Sequence, residues 1–121
     1  LEGKFKYFIF CVLPFGLCSG PLVCKKLFRP LIMKWRSDCI HIVLFFDDGC
    51  FCAKTYEMCF SHAQIIKSDL LKAHILPNCE KSNWIPSKDT IWLGYYWDFS
   101  EKCVSVSPKR IKKLFSKLFA F

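Results

Sequence analysis

Two adjacent aspartates, Asp47 and Asp48, are the residues of this sequence with the clearest capacity for chemistry. They follow the apolar run 40–46 and precede Gly49, and Asp-Gly is a common hairpin-turn sequence. We therefore predict a hairpin whose tip carries both carboxylates at the surface. Because the two like charges repel each other, a hard divalent cation such as Mg²⁺ would stabilise the pair. The pair indicates metal-assisted phosphoryl transfer, with a turn of no catalytic role as the alternative.

The surrounding sequence predicts a single α+β unit that places this hairpin among strands and helices. A loop at 14–16 separates a largely buried first strand from the first helix. Ser19 is expected to cap that helix, and Pro30 to kink or weaken it. The spacing of apolar residues predicts strands at 4–13, 40–46, 50–53, 90–95 and 103–106, with helices between Ser19 and Asp38, at 57–76 and from Pro108 onward. The apolar face of the second helix is expected to comprise Met58, Ala63, Ile66, Leu70, Leu71 and Ile75.

Composition limits the classes of protein to which this chain can belong. Its 121 residues suffice for one compact domain, and 53% of them are hydrophobic, which excludes a disordered tail. The formal net charge of +8 favours an anionic partner. The chain begins at Leu1 rather than at methionine, which suggests a piece of a longer protein.

The nine cysteines favour reduced thiols in an intracellular protein over a disulfide framework, because their number is odd and their spacing irregular. Cys50 and Cys52 are expected to share one face of a strand. No CxxC pair or HxxxH partner accompanies them, so the sequence gives little support for a zinc site.

A membrane-associated protein is an alternative raised by residues 7–24, which contain no charged side chain and are flanked by lysines. Their length would admit a spanning helix or the core of a signal peptide. Pro14 and Pro21 would interrupt such a helix, however, so we favour a strand, a turn and the start of a new helix.

The C-terminal segment has the clearest helical pattern in the chain. Apolar residues recur at helical spacing from Ile111 to Phe119, and the opposite face is basic without any acid. We expect the apolar face to pack on the core of the domain and the basic face to meet nucleic-acid phosphates. A membrane surface and the groove of a partner protein are the alternatives. The five basic residues are Lys109, Arg110, Lys112, Lys113 and Lys117.

The order and spacing of these motifs resemble the palm of a reverse transcriptase, in particular that of DIRS-type and gypsy-like retrotransposons. The resemblance covers about residues 3–114. The matching motifs are Leu13-Pro14-Phe15-Gly16-Leu17 followed by Pro21, Phe45-Phe46-Asp47-Asp48 in place of a Tyr-x-Asp-Asp box, Glu80-Lys81-Ser82, and Trp92-Leu93-Gly94. The implied fold is a palm-like antiparallel sheet with helices packed on one face.

This resemblance implies a role for each matching residue. Asp47 matches the aspartate that binds both catalytic metal ions, Mg²⁺ or Mn²⁺, and Asp48 matches the second aspartate of the box. Lys81 matches a lysine that approaches the phosphates of the nucleotide. Nucleotide-binding positions are implied at Phe15 and Gly16, and primer or template contacts at Phe45, Trp92, Leu93 and Gly94. The last three residues match the primer grip, a hairpin that positions the 3′ end of the primer.

The sequence also departs from the pattern of the family. The family needs a third carboxylate on a strand before the Leu-Pro-Phe-Gly-Leu motif, and the only acid there is Glu2. Phe45 replaces the usual tyrosine of the box. The expected domains are a partial palm at 1–107 and, at 108–121, a basic helix that begins a connection region. We therefore expect an N-terminally truncated fragment that is inactive by itself.

The function implied for the intact enzyme is RNA-directed DNA polymerase activity, a template-directed nucleotidyl transfer by two-metal chemistry. Its partners would be an RNA or DNA template-primer, dNTP, and the remaining polymerase and ribonuclease H regions of a polyprotein, without a membrane. The expected location is the cytoplasm or nucleus. The alternatives are a non-catalytic nucleic-acid-binding remnant and, less favoured, a small membrane-associated protein.

Overall fold

The computed structural model describes residues 6–120, which form helices and strands in an α+β arrangement, as the sequence predicts. The strands make two small antiparallel sheets, with the order β1-β2 in one and β3-β4-β5 in the other. The elements are α1 (Gly20–Ser37), β1 (His41–Phe45), β2 (Asp48–Cys52), α2 (Tyr56–Lys72), β3 (Asp89–Trp92), β4 (Tyr95–Asp98), β5 (Cys103–Val106) and α3 (Pro108–Leu118).

The predicted first strand is wrong for its described part, residues 6–13, and Lys4 and Phe5 lie outside the described residues. Residues 6–13 contain no strand, and the side chains of Tyr7 and Phe8 are about nine-tenths exposed. Aromatic and β-branched residues fit a pleated surface, but a strand also needs a neighbour to accept its backbone hydrogen bonds. Neither of the two sheets places a strand beside this segment.

Helix α1 carries the largest core side chain of the described chain. It starts next to Pro21 and continues through Pro30 to its last turn, where Trp35 is fully buried. Ser19 occupies the N-cap position as predicted, but its backbone is helical and its side chain makes no capping hydrogen bond. The predicted cap is therefore absent, because an N-cap side chain reaches the first turn from extended backbone.

The first hairpin has a tighter turn than the sequence predicts. Phe45 pairs with Asp48, so the turn consists of Phe46 and Asp47 alone, and Gly49 lies within β2. The predicted turn at 47–49 is wrong because Phe46 adopts a left-handed backbone, with φ of 55°, and closes the loop one residue earlier.

Helix α2 is shorter than predicted and buries only part of the expected face. The hydroxyl of Thr55 accepts a hydrogen bond from the backbone N–H of Met58 at 3.2 Å and caps its start. The helix ends at Lys72, before His74 enters left-handed backbone, so the predicted end at residue 76 is wrong. Ala63, Ile66 and Leu70 are buried as expected, whereas Met58 and Leu71 are about half exposed.

The predicted strand at 90–95 is instead a hairpin. Trp92 pairs with Tyr95 across a turn of Leu93 and Gly94, whose φ values of 52° and 78° are both left-handed. Two consecutive left-handed residues are the condition for the tight hairpin turn whose twist matches the strands. The third strand of this second sheet, β5, lies at 103–106, as predicted.

The core lies between α1, α2 and the first hairpin. Its buried side chains are Trp35, Ile40, Ile42, Ile66 and Leu70. The indole N–H of Trp35 donates to Oδ2 of Asp69 at 2.9 Å, which joins the two helices through a polar bond at the edge of this core.

Asp69 also accepts from Nζ of Lys34 at 2.7 Å, and this contact lowers the pKa of Asp69 below its ordinary 3.8. A carboxyl whose pKa is lowered by folding contributes stability above its unfolded pKa, and that stability is lost as pH falls through the folded value. We expect urea unfolding midpoints to decrease below about pH 4 more steeply in the native chain than in an Asp69→Asn variant. Identical pH profiles for the two proteins would contradict this role.

Within residues 6–120, no helix combines the length and the apolar character needed to cross a bilayer.

Candidate functional site

The two aspartates lie at the tip of the first hairpin, and both side chains are exposed. Asp47 is the second residue of the turn, and Asp48 opens β2 opposite Phe45. The base of the hairpin is anchored in the core by Ile42, a buried residue near the start of β1. A rigid base with an exposed tip keeps both carboxylates at a defined place on the surface.

Two phenylalanines accompany the carboxylates. The rings of Phe45 and Phe46 meet edge to face with their centroids 4.8 Å apart, and both rings are about half exposed. Sequence reasoning did not single out Phe46, although its position inside the box was a signal. Left-handed backbone at a non-glycine residue costs about 1–2 kcal/mol, and such strain concentrates at functional sites.

The donor chemistry of Asp47 and Asp48 fits a divalent metal ion, because carboxylate oxygens are the ligands that Mg²⁺ prefers. Among residues 6–120, no three His, Cys, Asp or Glu side chains are grouped so as to hold an ion. Two carboxylates alone would fill only part of the coordination shell of such an ion. A bound Mg²⁺ would activate a hydroxyl nucleophile and neutralise developing phosphate charge.

The second hairpin carries the Trp92-Leu93-Gly94 motif at its turn. The indole N–H of Trp97 donates to the carbonyl of Trp92 at 3.3 Å, so the two strands are joined by a side chain as well as by their backbones. The indole N–H of Trp92 is buried and has no hydrogen-bond partner among the described residues. Trp92 is thus partly buried, with one donor left for a further contact.

The start of α3 clamps this second turn. Ser107, which is 3% exposed, donates its backbone N–H to the carbonyl of Gly94 at 3.2 Å. The guanidinium of Arg110 lies over the ring of Tyr95, 5.5 Å from its centroid, and against Gly94. Sequence reasoning assigned Arg110 only to a basic face and missed this contact, which no local motif indicates.

Replacing Gly94 by alanine is expected to destabilise the second hairpin. The left-handed backbone costs a residue with a Cβ about 1–2 kcal/mol, and the Arg110 guanidinium would have to shift to admit the new Cβ, which would disturb its contact with the ring of Tyr95. Gly16→Ala is the matched control, since Gly16 has φ of 85° but nothing within 4 Å of the added Cβ. We expect Gly94→Ala to lower the free energy of unfolding more than Gly16→Ala does. Equal losses would show that Arg110 does not constrain the turn.

A cavity of about 590 Å³ lies between the two hairpins and brings their side chains together. The first hairpin contributes Val43, Cys50 and Cys52, and the second sheet contributes Trp92, Trp97 and the adjoining Phe99. Neither Asp47 nor Asp48, at the tip of the first hairpin, lines this cavity. The structure thus joins the two motif-bearing hairpins through an apolar space rather than through the carboxylates.

The nine cysteines are all free thiols. Burial raises the pKa of the Cys50 thiol above its ordinary value, and it does the same for Cys59 in the first turn of α2. Both thiols are therefore protonated at neutral pH.

The remaining predicted site residues lie apart from the hairpin tips in the chain. Phe15 and Gly16 form a turn before α1, where the Phe15 ring is fully exposed and Gly16 has left-handed backbone. Lys81 lies in the loop after α2, and its backbone N–H donates to the side chain of Asn78 at 3.2 Å. Within residues 6–120, no side-chain hydrogen bond joins Lys81 to Asp47, and the Phe15 side chain has no polar atom that could form one. The roles of both residues stay predictions.

Helix α3 forms as predicted, but its apolar face does not pack on the core. No residue of the helix is buried, and Leu114, Phe115 and Leu118 are each more than half exposed. The expected packing is therefore wrong for the described chain. Contacts with the second hairpin are made at the start of the helix, through Ser107 and Arg110, and its apolar and basic faces are both exposed.

Comparison with known proteins identifies a family for most of the chain. The family model described as reverse transcriptase (RNA-dependent DNA polymerase) matches residues 2–97, a range that includes both motif-bearing hairpins. No curated protein and no solved structure matches significantly. Since the match spans far more than half of the 121 residues, the chain belongs to the reverse transcriptase family.

Proposed function

We propose that this chain is a palm fragment of a DIRS-type or gypsy-like retrotransposon reverse transcriptase. In the intact enzyme the palm would support template-directed nucleotidyl transfer with Mg²⁺ or Mn²⁺. The observation that carries the proposal is the exposed Asp47-Asp48 pair at the tip of the first hairpin, with Asp47 in the turn and Asp48 at the start of β2, within a chain matched by the reverse transcriptase family. Residues 1–107 would be the partial palm, and residues 108–121 the start of a connection region.

Within this proposal, Asp47 contacts both metal ions and Asp48 contributes the weaker ligand. Both side chains are exposed, so an ion can reach them without a change in fold. In the intact enzyme Phe15 and Gly16 shape the nucleotide pocket, and Lys81 approaches the phosphates of the nucleotide. The exposure of all three residues is compatible with contact to a large ligand.

Phe45 and the Trp92-Leu93-Gly94 turn are proposed to contact the primer and template. Phe45 presents a half-exposed ring next to the carboxylates, which suits stacking or apolar contact with a nucleotide. The tight turn of Leu93 and Gly94 is held by Ser107 and Arg110, as a turn that positions a strand end requires. The unpaired N–H of Trp92 leaves this motif one donor for a further contact.

The chain by itself is proposed not to polymerise nucleotides. A two-metal site holds its ions with several carboxylates, and Asp47 and Asp48 are not joined by a third ligand within residues 6–120. Metal affinity should therefore be weak but specific to the hairpin tip. In the intact enzyme, the carboxylate that the family carries on a strand before the Leu-Pro-Phe-Gly-Leu motif would complete the ligand set.

Titration with Mn²⁺, followed by electron paramagnetic resonance, tests the metal assignment. We expect Asp47→Asn to weaken Mn²⁺ binding at least tenfold, because it removes the charged ligand of both ions. Glu101→Gln is the matched control, since it removes the same charge from an exposed turn between β4 and β5. Glu101→Gln should leave the affinity unchanged.

The alternative function is a nucleic-acid-binding remnant without metal chemistry, which the basic face of α3 and the incomplete ligand set favour. The same titration separates the two functions. If Asp47→Asn and Glu101→Gln bind Mn²⁺ equally, the hairpin tip is not a metal site and the alternative holds.

A further inference from the structure

The strand that begins at Asp48 carries two thiols on one face. Cys50 pairs with Val43 and Cys52 pairs with His41 in the antiparallel register of the first hairpin. Alternate residues of a strand point to the same side, and directly paired residues share that side. Cys50, Cys52 and His41 therefore lie on a common face.

The residues of this thiol face line the cavity between the hairpins. The opposite face carries Ile42, a core residue, and Phe51, which packs against the core, and these two residues line the cavity as well. Cys50, Cys52 and His41 line the 590 Å³ cavity together with Trp92 and Trp97 of the second sheet. Three cysteines, Cys39, Cys50 and Cys52, thus line this mainly apolar space, and Cys50 and Cys52 are the two that share a strand face.

The backbone geometry excludes a disulfide between these two cysteines. Residues two apart in a strand are about 6.6 Å apart along the strand, with side chains roughly parallel. A disulfide needs Cβ atoms about 3.5–4.5 Å apart, so it would require the strand to bend. Two thiolate–metal bonds of about 2.3 Å each span about 4.6 Å, which two cysteines leaning toward each other can meet.

We propose that Cys50 and Cys52 together bind one soft monovalent metal ion of the Cu(I) class at the wall of this cavity. Soft thiolate ligands select Cu(I) over the hard ions that carboxylates prefer. Each thiol releases one proton to the buffer as its sulfur–metal bond forms, and the ion keeps its oxidation state. Two thiolate ligands suffice for such an ion.

The bound ion would connect a site on β2 with the hairpin tip. Cys50 lies two residues beyond Asp48 on the same strand, so an ion bridging Cys50 and Cys52 would stiffen the strand that holds one of the exposed carboxylates. This soft-metal site is separate from the proposed Mg²⁺ ligands. Its existence does not depend on the proposed function.

Anaerobic titration of the full chain with Cu(I), in competition with bicinchoninate, tests the proposal. Trp92 and Trp97 line the cavity, so the first equivalent of Cu(I) should quench tryptophan fluorescence. In a Cys50→Ser/Cys52→Ser double variant, we expect that quenching to vanish and the affinity for the first equivalent to fall at least tenfold. Circular dichroism reports whether this variant folds.

A second double variant, Cys18→Ser/Cys79→Ser, removes the same number of thiols from exposed positions outside the cavity. It should retain both the quenching and the first-equivalent affinity. The single variant Cys52→Ser, at an exposed position, provides a test even if the double variant does not fold. Quenching that persists in Cys52→Ser, or that is lost equally in the Cys18/Cys79 variant, would overturn the proposal.

Discussion

Replacing Trp35 by alanine is expected to remove about 3–5 kcal/mol from the free energy of unfolding, the range for deleting a large buried aromatic side chain. Trp35 is 1% exposed and is one of the two largest fully buried side chains of the described chain. Its indole also joins α1 to α2 through Asp69. Domains of this size have total stabilities of about 5–15 kcal/mol, so this loss is a large fraction of the total and should lower the urea midpoint markedly.

Urea unfolding followed by circular dichroism measures this loss, with Trp35→Phe as the control. Phenylalanine keeps most of the apolar area and loses the N–H donated to the Asp69 carboxylate, a hydrogen bond to a charged group that is worth about 1.5–3 kcal/mol. The midpoint of Trp35→Phe should therefore lie between those of the native chain and Trp35→Ala. A native-like midpoint for Trp35→Ala would show that the core does not depend on this side chain.

The second large effect is expected on nucleic-acid binding. Removing three charges from the basic face of α3 with Lys109→Gln, Lys112→Gln and Lys113→Gln should weaken binding to a duplex strongly at low salt. Each lost phosphate contact reduces the slope of log affinity against log salt by about 0.9, so the slope should become shallower by up to about 2.7. Arg110 is kept in this variant because it packs on Gly94 and Tyr95.

A matched triple variant of α1, Lys25→Gln, Lys26→Gln and Arg29→Gln, controls for net charge. These three residues are also exposed, so both triple variants lower the net charge equally. Fluorescence anisotropy with a labelled primer–template duplex at several salt concentrations compares them. If the α1 variant changes the slope as much as the α3 variant does, the long-range charge of the whole protein, rather than α3, is responsible for binding.

In the centre and at the C-terminus, the sequence predicted which helices and strands form better than it predicted the residues at which they begin and end. The Asp-Asp-Gly motif placed a hairpin correctly, but the turn lies at Phe46 and Asp47 because a phenylalanine adopts left-handed backbone. Propensity rules assign such backbone to glycine or asparagine, so they moved the turn toward Gly49. Local spacing also missed the turn at Leu93, where a second bulky residue has positive φ, although the resemblance to the family implied a hairpin there.

Contacts between distant residues were beyond local sequence patterns. The aromatic segment 6–13 has strong strand propensity, yet a strand depends on a partner that local spacing does not report. Periodicity likewise identified the amphipathic α3 without showing which face is covered. The carboxylate pair was predictable because its two members are adjacent, whereas the contact of Arg110 with Gly94 joins residues sixteen positions apart.

Paramagnetic broadening by Mn²⁺ is the most direct way to determine whether the tip of the first hairpin holds a divalent cation. Backbone amide signals of the uniformly ¹⁵N-labelled chain are recorded as Mn²⁺ is added in substoichiometric amounts. We expect the signals of the hairpin tip, Phe46, Asp47, Asp48 and Gly49, to broaden first, and we expect Asp47→Asn to abolish this selectivity. Broadening that begins at other acidic residues such as Glu57 or Asp98, with the tip unaffected, would show that the hairpin tip is not the cation site.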